Sequence, residues 1–264
     1  MTSASLDNPL VALEGRLRHC RNVRTLGVRP NFLDYTPEER RWIREAAKIY
    51  YPSPFYAELL DTMGKPTFPS YHTYKFAQDK IKQTALFQMA GIPHPRTRVF
   101  YGRRQKARIV DHFSFPFIAK VPRGSALGKG VYLIRSAEDL AAYCQMEGPA
   151  YIQAYLPMEK DIRAVVIGGR VVHAYWRVAP VGDHRTNIGC GGDVDFSPVP
   201  RGALALAVRT ARVCRWDDVG LDIACRRDDF VVLEANMKYG REGFRRAGID
   251  YNRLLEQCIV DGSI

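Results

Sequence analysis

The stretch Leu221-Asp-Ile-Ala-Cys-Arg-Arg-Asp-Asp-Phe-Val-Val-Leu-Glu-Ala-Asn236 predicts two short strands joined by a polar turn. Apolar residues alternate around Asp222, residues 226–229 form the turn, and an apolar run leads to Glu234. Side chains two residues apart on a strand share a face, so Glu234 and Asn236 point together, and Asp222 faces them if the strands pair. Three such oxygen donors suit Mg²⁺. By itself the pattern favours an ordinary hairpin with a polar mouth, and the rest of the chain decides between the two.

Length and composition place the chain among globular proteins. Its 264 residues suffice for one large domain or two modest ones, and 46% of them are hydrophobic and 25% charged. No apolar run approaches the roughly 20 residues that span a bilayer, and the N-terminus lacks the pattern of a secretory signal. The six cysteines are scattered without a Cys-x-x-Cys pair, which favours reduced thiols in the cytoplasm over a zinc ribbon or a disulfide framework.

The formal net charge of +11 indicates an anionic partner, which could be a nucleotide, an acidic peptide or a nucleic acid. The basic residues are spread along the whole chain without a long Lys/Arg block. No helix-turn-helix, RNA-recognition or zinc-finger signature accompanies them. Nucleic acid is therefore disfavoured as the partner, although the charge alone does not exclude it.

The N-terminal part, residues 1–75, reads as a small αβ unit. Strands are predicted at residues 23–28 and 48–51, and Leu10, Leu13 and Leu17 give residues 1–22 a weak helical pattern. Thr36-Pro37-Glu38-Glu39 is a helix start, because Thr36 and Glu39 can form a capping box and proline fits the first turn. The unit is short for a dinucleotide-binding domain and contains no Gly-x-Gly-x-x-Gly.

The remainder alternates strands and helices without an internal repeat. Residues 74–90 predict one helix closed by Gly91. Residues 161–167 and 171–178 predict a hairpin, with Gly168-Gly169 as its two-residue turn. Further helices are expected at residues 201–215 and 251–260, and further strands at residues 96–101, 115–121, 131–134 and 150–154.

A glycine-rich loop, Pro122-Arg-Gly-Ser-Ala-Leu-Gly-Lys-Gly130, connects two of these strands. Glycines let backbone N–H groups approach a phosphate closely. The loop does not match a Walker A motif, because the first gap is one residue short, Gly130 stands in place of Ser/Thr, and a strand follows instead of a helix. An ordinary surface hairpin is the simpler interpretation. Lys120, a cation inside the apolar strand that precedes the loop, is harder to explain in that way.

Short motifs follow one another along residues 75–260. They are Gln78-Asp79-Lys80, Ala90-Gly-Ile-Pro-His-Pro-Arg-Thr97, Phe117-Ile-Ala-Lys120 with the glycine-rich loop, Ile152-Gln-Ala-Tyr-Leu156, Lys160-Asp-Ile-Arg163, Arg185-Thr-Asn187, and Asp222 with Glu234 and Asn236. In this order they resemble the ATP-grasp superfamily, and within it the RimK-like carboxylate–amine ligases. The twelve-residue step from Asp222 to Glu234, followed by Glu-x-Asn, is the most specific of them. The resemblance implies an α+β ATP-grasp fold over residues 76–264, with two α+β subdomains gripping ATP, after a short αβ unit over residues 1–75.

The resemblance also implies a role for individual residues. The implied phosphate-binding groups are Lys80, Lys120 and the loop backbone at Gly124, Gly128 and Gly130. The implied adenine and ribose contacts are Gln153, the backbone near Tyr155, and Asp161. The implied catalytic residues facing the γ-phosphate or an acyl-phosphate are Arg163, Arg177, Arg185 and Asn187. The implied ligands of Mg²⁺, two ions for which Mn²⁺ can substitute, are Asp222, Glu234 and Asn236.

The reaction implied by the resemblance is carboxylate activation by ATP, followed by attack of an amine on an acyl-phosphate. It needs positioning and electrostatic stabilisation rather than a covalent nucleophile. The expected substrates are an acidic small-molecule or peptide carboxylate and an amine, and a homo-oligomer is compatible with the sequence. The alternatives are an ATP-grasp phosphotransferase and a non-catalytic nucleotide- or nucleic-acid-binding module.

The chain departs from the family pattern after Asn236. The family has a small-residue turn there, whereas this chain has Met237-Lys-Tyr-Gly-Arg-Glu-Gly-Phe244. A cationic cluster follows, formed by Arg241, Arg245, Arg246 and Arg253. A solvated helix face and a clamp for carboxylates explain this cluster equally well.

Overall fold

The computed structural model describes residues 10–124, 130–180, 186, 191–226 and 229–264. Gly128, Arg185 and Asn187, for which the resemblance implies roles, therefore lie outside the described residues. Within the described part, the strands form three sheets.

The first sheet is parallel and belongs to the N-terminal unit. Its strands are β1 Leu10–Ala12, β2 Val23–Thr25, β3 Ile49–Tyr50 and β4 Thr67–Phe68, in the spatial order β2-β1-β3-β4. The helical pattern expected for residues 1–22 is wrong for the described part, where β1 is followed by a 3-10 turn, Gly15–Leu17. The leucine spacing reflects burial of Leu13 and Leu17 as the chain turns away from the sheet.

The other two sheets are antiparallel. The four-stranded sheet consists of β5 Thr97–Phe100, β6 Phe117–Lys120, β7 Val131–Ile134 and β8 Ala150–Ala154, in the order β5-β8-β6-β7. The five-stranded sheet consists of β9 Lys160–Ile167, β10 Arg170–Val178, β11 Asp193–Asp195, β12 Asp218–Arg226 and β13 Asp229–Asn236, in the order β11-β10-β9-β12-β13. Both predicted hairpins, β9–β10 and β12–β13, are confirmed.

The helices cover these sheets. They are α1 Pro37–Glu45, α2 Pro54–Thr62, α3 Tyr71–Lys75, α4 Lys80–Ala90, α5 Gly102–Lys106, α6 Ala137–Cys144, α7 Arg201–Cys214, α8 Glu242–Arg246 and α9 Tyr251–Val260. The predicted capping box of α1 is confirmed, since the Glu39 N–H donates to Thr36 Oγ1 (3.2 Å) and the Thr36 N–H donates to Glu39 Oε2 (2.8 Å).

The single helix predicted for residues 74–90 is wrong, because the chain breaks between α3 and α4. Gln78 adopts a left-handed conformation with φ 56°, and the Asp79 side chain then caps α4 by accepting the Lys82 N–H (3.0 Å). Aspartate competes for backbone N–H groups in this way, and so favours a helix start over a helix interior. The predicted end of the helix is confirmed, since Gly91 is left-handed with φ 62°.

The five-stranded sheet buries both of its faces in different ways. Alternate residues of β9, including Ile162 and Val166, pack with α4 and α7 in one core. Val165 and Ile167 point to the opposite face, where they pack with the N-terminal unit and α9. Toward the other end of that second face the side chains are polar, and this end faces the four-stranded sheet across a cleft.

Candidate active site

A cleft between the two antiparallel sheets brings together residues that are far apart in the sequence. The predicted site residues that line it are Lys120, Gln153, Tyr155, Asp161, Arg177, Asp222 and Glu234. Apolar side chains of Ile118, Leu156, Met158 and Leu233 line the same cleft. It therefore has apolar walls and a charged end, a combination that suits a nucleotide with its base and its phosphates.

Two β-bulges set the register of the charged end. Ile223 pairs with Val232, whereas Asp222 pairs with Glu234, so Leu233 is the extra residue on β13. The extra residue moves Glu234 directly opposite Asp222, with Asn236 two residues further on the same face. A second bulge on β10 moves Arg177 opposite Asp161 in the same manner.

The aligned side chains form a buried ion-pair network. Arg177 binds both oxygens of Asp161, with its Nε 2.8 Å from Oδ1, and its Nη2 also lies 3.0 Å from Asp222 Oδ2. Arg163 Nε donates to Asp222 Oδ1 at 2.5 Å. Burial raises the pKa of Asp222, but Arg163 and Arg177 outweigh it and hold this pKa below its ordinary value. Asp222 is therefore an ionised carboxylate in a protected environment.

The donor set around Asp222 fits a hard divalent cation. Asp222 and Glu234 supply carboxylate oxygens, and Asn236 donates its amide N–H to Asp222 Oδ2 (3.2 Å) and so keeps its amide oxygen for another partner. Two carboxylates and an amide oxygen are ligands that Mg²⁺ accepts. Within the described ranges no cluster of three His, Cys, Asp or Glu residues could hold a metal, as expected where the third donor is an asparagine.

Two lysines reach the same end of the cleft from different elements. Lys80 at the start of α4 forms a salt bridge with Glu234 (3.2 Å). Lys120 at the end of β6 is 7% exposed and makes no salt bridge with any residue that the structure describes. Its pKa is lowered, chiefly by burial and further by Lys80, although Glu234 opposes the shift. An incoming anion would therefore stabilise the charged form of Lys120.

The charges of this cluster do not cancel. Four cations, Lys80, Lys120, Arg163 and Arg177, face three carboxylates, Asp161, Asp222 and Glu234. The excess of one positive charge is buried, where electrostatic interactions are stronger than in water. Such a site favours a polyphosphate, and a cation bound with the phosphate would share the carboxylates with the arginines and Lys80.

Gln153 lies in the wall of the cleft, and Gly124 and Gly130 lie at the ends of the glycine-rich loop. Gln153 on β8 is buried and donates to Thr97 Oγ1 (3.0 Å). Gly124 and Gly130 have φ of +67° and +75° at the two ends of the glycine-rich loop. The first end is held by Arg123, whose Nε donates to Asp79 Oδ2 (3.0 Å). The loop is thus anchored beside the cap of the helix that carries Lys80.

Sequence reasoning missed Gln83, which fixes the end of strand β13. Its amide Nε2 donates to the Ala235 carbonyl (2.9 Å), and its Oε1 accepts the Ala235 N–H (3.1 Å). Ala235 lies between Glu234 and Asn236, so Gln83 holds both in place. The signal was the i, i+3 spacing from Lys80, which places both polar side chains on one face of α4.

The cationic cluster after the site is engaged by local partners. Arg245 and Arg246 are paired with Glu242 on α8, and Arg246 also contacts Asp193 (2.5 Å). Arg241 lies over the Tyr251 ring, with its Cζ 4.4 Å from the ring centroid. These contacts are what a solvated helix face would make, and the clamp for carboxylates stays a prediction.

Comparison with known proteins agrees with this geometry. The model of the RimK-like ATP-grasp domain matches residues 77–259, which is more than half of the chain. The chain belongs to the RimK-like ATP-grasp family. Of its helices, none that the structure describes has the length and apolar character needed to cross a membrane.

Curated relatives of this RimK-like chain are named as ligases and synthases. It is 31% identical over 180 residues to beta-citrylglutamate synthase B of Danio rerio, across 64% of this chain and 44% of the relative. It is 30% identical over 200 residues to a probable alpha-L-glutamate ligase of Haemophilus influenzae, across 71% of this chain and 65% of the relative. The chain thus spans less than two thirds of the length of these relatives.

Solved structures confirm the predicted ATP-grasp fold. The RimK domain ATP-grasp protein of Sphaerobacter thermophilus has a TM-score of 0.68 at 18% identity, over 95% of this chain and 99% of that one. The ATP-grasp ligase PsnB, solved with a phosphomimetic variant of its minimal precursor, Mg and ADP, has a TM-score of 0.70 at 16% identity, over 98% of this chain and 100% of that one. At these identities the likeness concerns the fold.

Proposed function

We propose that this RimK-like chain is an Mg-ATP-dependent ligase that joins a carboxylate to an amine. The observation that carries the proposal is the buried cluster with one excess positive charge, in which Lys120 makes no described salt bridge and Asp222 and Glu234 stand opposite each other. Lysines and arginines would hold the phosphates, and Asp222, Glu234 and Asn236 would hold Mg²⁺. Two ions are expected, and Mn²⁺ is expected to substitute.

In the proposed reaction, a carboxylate oxygen of the substrate attacks the γ-phosphorus of ATP, and the bond between that phosphorus and the β-γ bridging oxygen breaks to release ADP. The amine nitrogen then attacks the acyl carbon, the C–O bond to phosphate breaks, and the amine loses a proton. Mg²⁺ held by Asp222, Glu234 and Asn236 would supply positive charge for the phosphoryl group. Arg163 and Arg177 stabilise the negative charge that moves between these centres, and Lys80 and Lys120 fix the phosphates.

The proposed substrates follow from charge and from the relatives. The net charge of +11 attracts acidic molecules, and several relatives are named glutamate ligases. We therefore expect an acidic amino acid or acidic peptide among the substrates. The five cysteines that the structure describes are free thiols, which supports a reducing compartment such as the cytoplasm.

Nucleotide binding is the first test of the proposal. Thermal unfolding is compared with ATP, GTP or no nucleotide, each with and without Mg²⁺, for the wild type and for Lys120→Ala. A ligand at about 100 times its Kd stabilises the fold by roughly 2.7 kcal/mol, which is easily seen as a higher Tm. We expect an Mg-dependent rise with ATP in the wild type and its loss in Lys120→Ala. No rise with any nucleotide would reject the proposal.

Product analysis then separates the ligase from a phosphotransferase. The wild type is incubated with Mg-ATP, acidic amino acids or peptides, and an amine. A ligase yields ADP, phosphate and a new amide, whereas a phosphotransferase yields ADP and a stable phosphoester. Nucleotide binding without either product, across the whole panel, would favour a non-catalytic nucleotide-binding module.

A further inference from the structure

Asp218 is a buried carboxylate that the proposed reaction does not use. It is 1% exposed, and it accepts hydrogen bonds from the hydroxyls of Tyr239 (2.6 Å) and Tyr51 (3.0 Å) and from Arg16 (3.3 Å). Arg16 and Tyr51 belong to the N-terminal unit, whereas Tyr239 follows the metal-site strand β13. Asp218 therefore fastens the segment beyond Asn236 to the N-terminal unit.

Gly220 is the next residue on the same face of β12. A Cβ atom at this position would lie 2.9 Å from Tyr239 Cβ and 3.3 Å from Arg163 Cδ. The bare backbone of Gly220 is thus the surface on which the Tyr239 side chain and the stem of Arg163 both rest. A side chain at this position would have to displace at least one of them.

Asp222 is the third residue of this row and holds the other end of Arg163. The guanidinium Nε of Arg163 donates to Asp222 Oδ1, while the stem of Arg163 passes over Gly220. Three residues on one face of β12 thus contact the same pair of side chains. Asp218 binds the Tyr239 hydroxyl, and Gly220 lies under both Tyr239 and the Arg163 stem. Asp222 binds the Arg163 guanidinium. A long side chain such as arginine has considerable rotamer entropy. Restricting its stem lowers the conformational entropy that is lost when the guanidinium is fixed for the reaction.

We propose that Tyr239 is a positioning residue for Arg163. Its ring, tied by its hydroxyl to Asp218, confines the Arg163 stem over Gly220 and so keeps the guanidinium in its ion pair with Asp222. The inference rests on the proposed function, because Arg163 is one of the groups expected to face the transferred phosphoryl group. The same carboxylate also accepts hydrogen bonds from Arg16 and Tyr51 of the N-terminal unit, which lie away from Gly220.

The test compares two tyrosines that donate to the same carboxylate. Tyr239→Phe removes the anchor of the ring that contacts Gly220, whereas Tyr51→Phe removes a donor with no such contact. The readout is hydrogen exchange of the Arg163 Nε–H, observed by ¹⁵N NMR and assigned through its loss in Arg163→Lys. We expect exchange to be about fivefold faster in Tyr239→Phe and unchanged in Tyr51→Phe, although each variant removes a hydrogen bond to Asp218. Tyr239→Phe also removes the contact of that hydroxyl with the Tyr251 hydroxyl (2.9 Å).

Gly220→Ala provides a second variant that leaves both hydroxyls in place. It should also accelerate exchange of the Arg163 Nε–H, because the added methyl group displaces Tyr239 or Arg163. Wild-type exchange in Tyr239→Phe overturns the inference even if Gly220→Ala fails to fold. Equal acceleration in Tyr239→Phe and Tyr51→Phe also overturns it, because Asp218 would then act only as a general anchor of the fold.

Turnover gives the independent second readout. In Tyr239→Phe we expect kcat to fall about fivefold with the KM for Mg-ATP within about twofold of wild type, and Tyr51→Phe to keep the wild-type kcat. If the wild type forms no amide with any carboxylate and amine of the panel, the proposed function fails. The exchange comparison still decides whether Tyr239 positions Arg163, so the two failures are distinguishable.

Discussion

Lys120 and Lys80 lie at the same end of the cleft, and we expect them to affect the stability of the fold in opposite directions. Lys80 has a salt bridge to Glu234, whereas Lys120 has no described salt bridge and a pKa lowered chiefly by burial. We expect Lys120→Met to raise the free energy of unfolding of the nucleotide-free protein by roughly 1–3 kcal/mol, since it removes a buried charge. Urea unfolding at pH 7 without nucleotide measures this change.

Lys80→Met is the matched control for that experiment. It removes the partner of Glu234 and should lower the free energy of unfolding by about 1–3 kcal/mol. Both variants should lose the stabilisation by Mg-ATP. If Lys120→Met destabilises the nucleotide-free protein as much as Lys80→Met does, Lys120 has a structural role in place of the phosphate-binding role.

Asp222 and Glu234 are expected to differ as structural residues, although both are assigned to the metal. From the sequence alone, alanine at either position is expected to abolish turnover and leave the fold intact. In the structure, an intact fold is expected only for the alanine variant of Glu234, whose side chain is 22% exposed and forms a salt bridge with Lys80. Asp222→Ala leaves Arg163 and Arg177 without a shared carboxylate in a buried site and should cost about 3–5 kcal/mol.

Urea unfolding and ADP release, measured on both alanine variants, check this difference. Glu234→Ala should cost less than about 2 kcal/mol while turnover is lost. Wild-type turnover in both variants would reject the metal-site assignment. Equal stability of the two variants would mean that the arginine network contributes little to the folded state.

At the level of elements, the cap of α4 gives a pH-dependent prediction. Burial raises the pKa of Asp79, but the Lys82 N–H and Arg123 outweigh it, so the net shift is downward. A carboxyl with a lowered pKa stabilises the fold above its unfolded pKa, and this contribution disappears as the pH falls through the folded value. Asp79→Asn keeps a helix cap but loses the charge. We expect the wild type to be more stable than Asp79→Asn by about 1 kcal/mol at pH 7.

The stability difference between these two proteins should shrink on acidification. Urea midpoints at pH 7 and pH 3 provide the measurement, because the Asp79 carboxylate becomes protonated toward the lower value. A difference that is the same at both pH values would show that Asp79 acts through its cap geometry rather than its charge. Asp195→Asn is the control variant, because the pKa of Asp195 is also lowered but this residue does not cap α4.

The hairpins themselves were predictable, and the alignment of their charges was not. Local alternation and the Gly168-Gly169 turn predict β9–β10, but a regular hairpin with that turn would place Trp176 opposite Asp161. The bulge on β10 shifts the register by one residue and brings Arg177 there. The bulge at Leu233 likewise brings Glu234 opposite Asp222. Bulges depend on packing against the rest of the sheet, which no local pattern encodes.

At the scale of the whole molecule, the two units that the sequence predicts on either side of residue 75 share a hydrophobic core. Val165 and Ile167 of β9 pack with Tyr51 and Phe68 of the N-terminal unit. Ser70 N–H also donates to Asp217 (2.9 Å), just before β12. A sheet face that is buried by another unit cannot be exposed without a large loss of hydrophobic stabilisation. We propose that residues 1–75 are a distinct segment of the sequence that folds and unfolds together with the rest of the chain.

The placement of the three tryptophans allows a test of cooperative unfolding. Trp42 lies on α1 of the N-terminal unit, whereas Trp176 and Trp216 pack in the core beneath the five-stranded sheet. In Trp42→Phe, fluorescence reports only on that core, and its difference from the wild type reports on the N-terminal unit. Because β9 is shared, we expect both signals and far-UV circular dichroism to give one urea midpoint. A fluorescence change from Trp42 that precedes the other signals would instead mean that the N-terminal unit unfolds alone, without the shared face of β9 holding it to the rest of the chain.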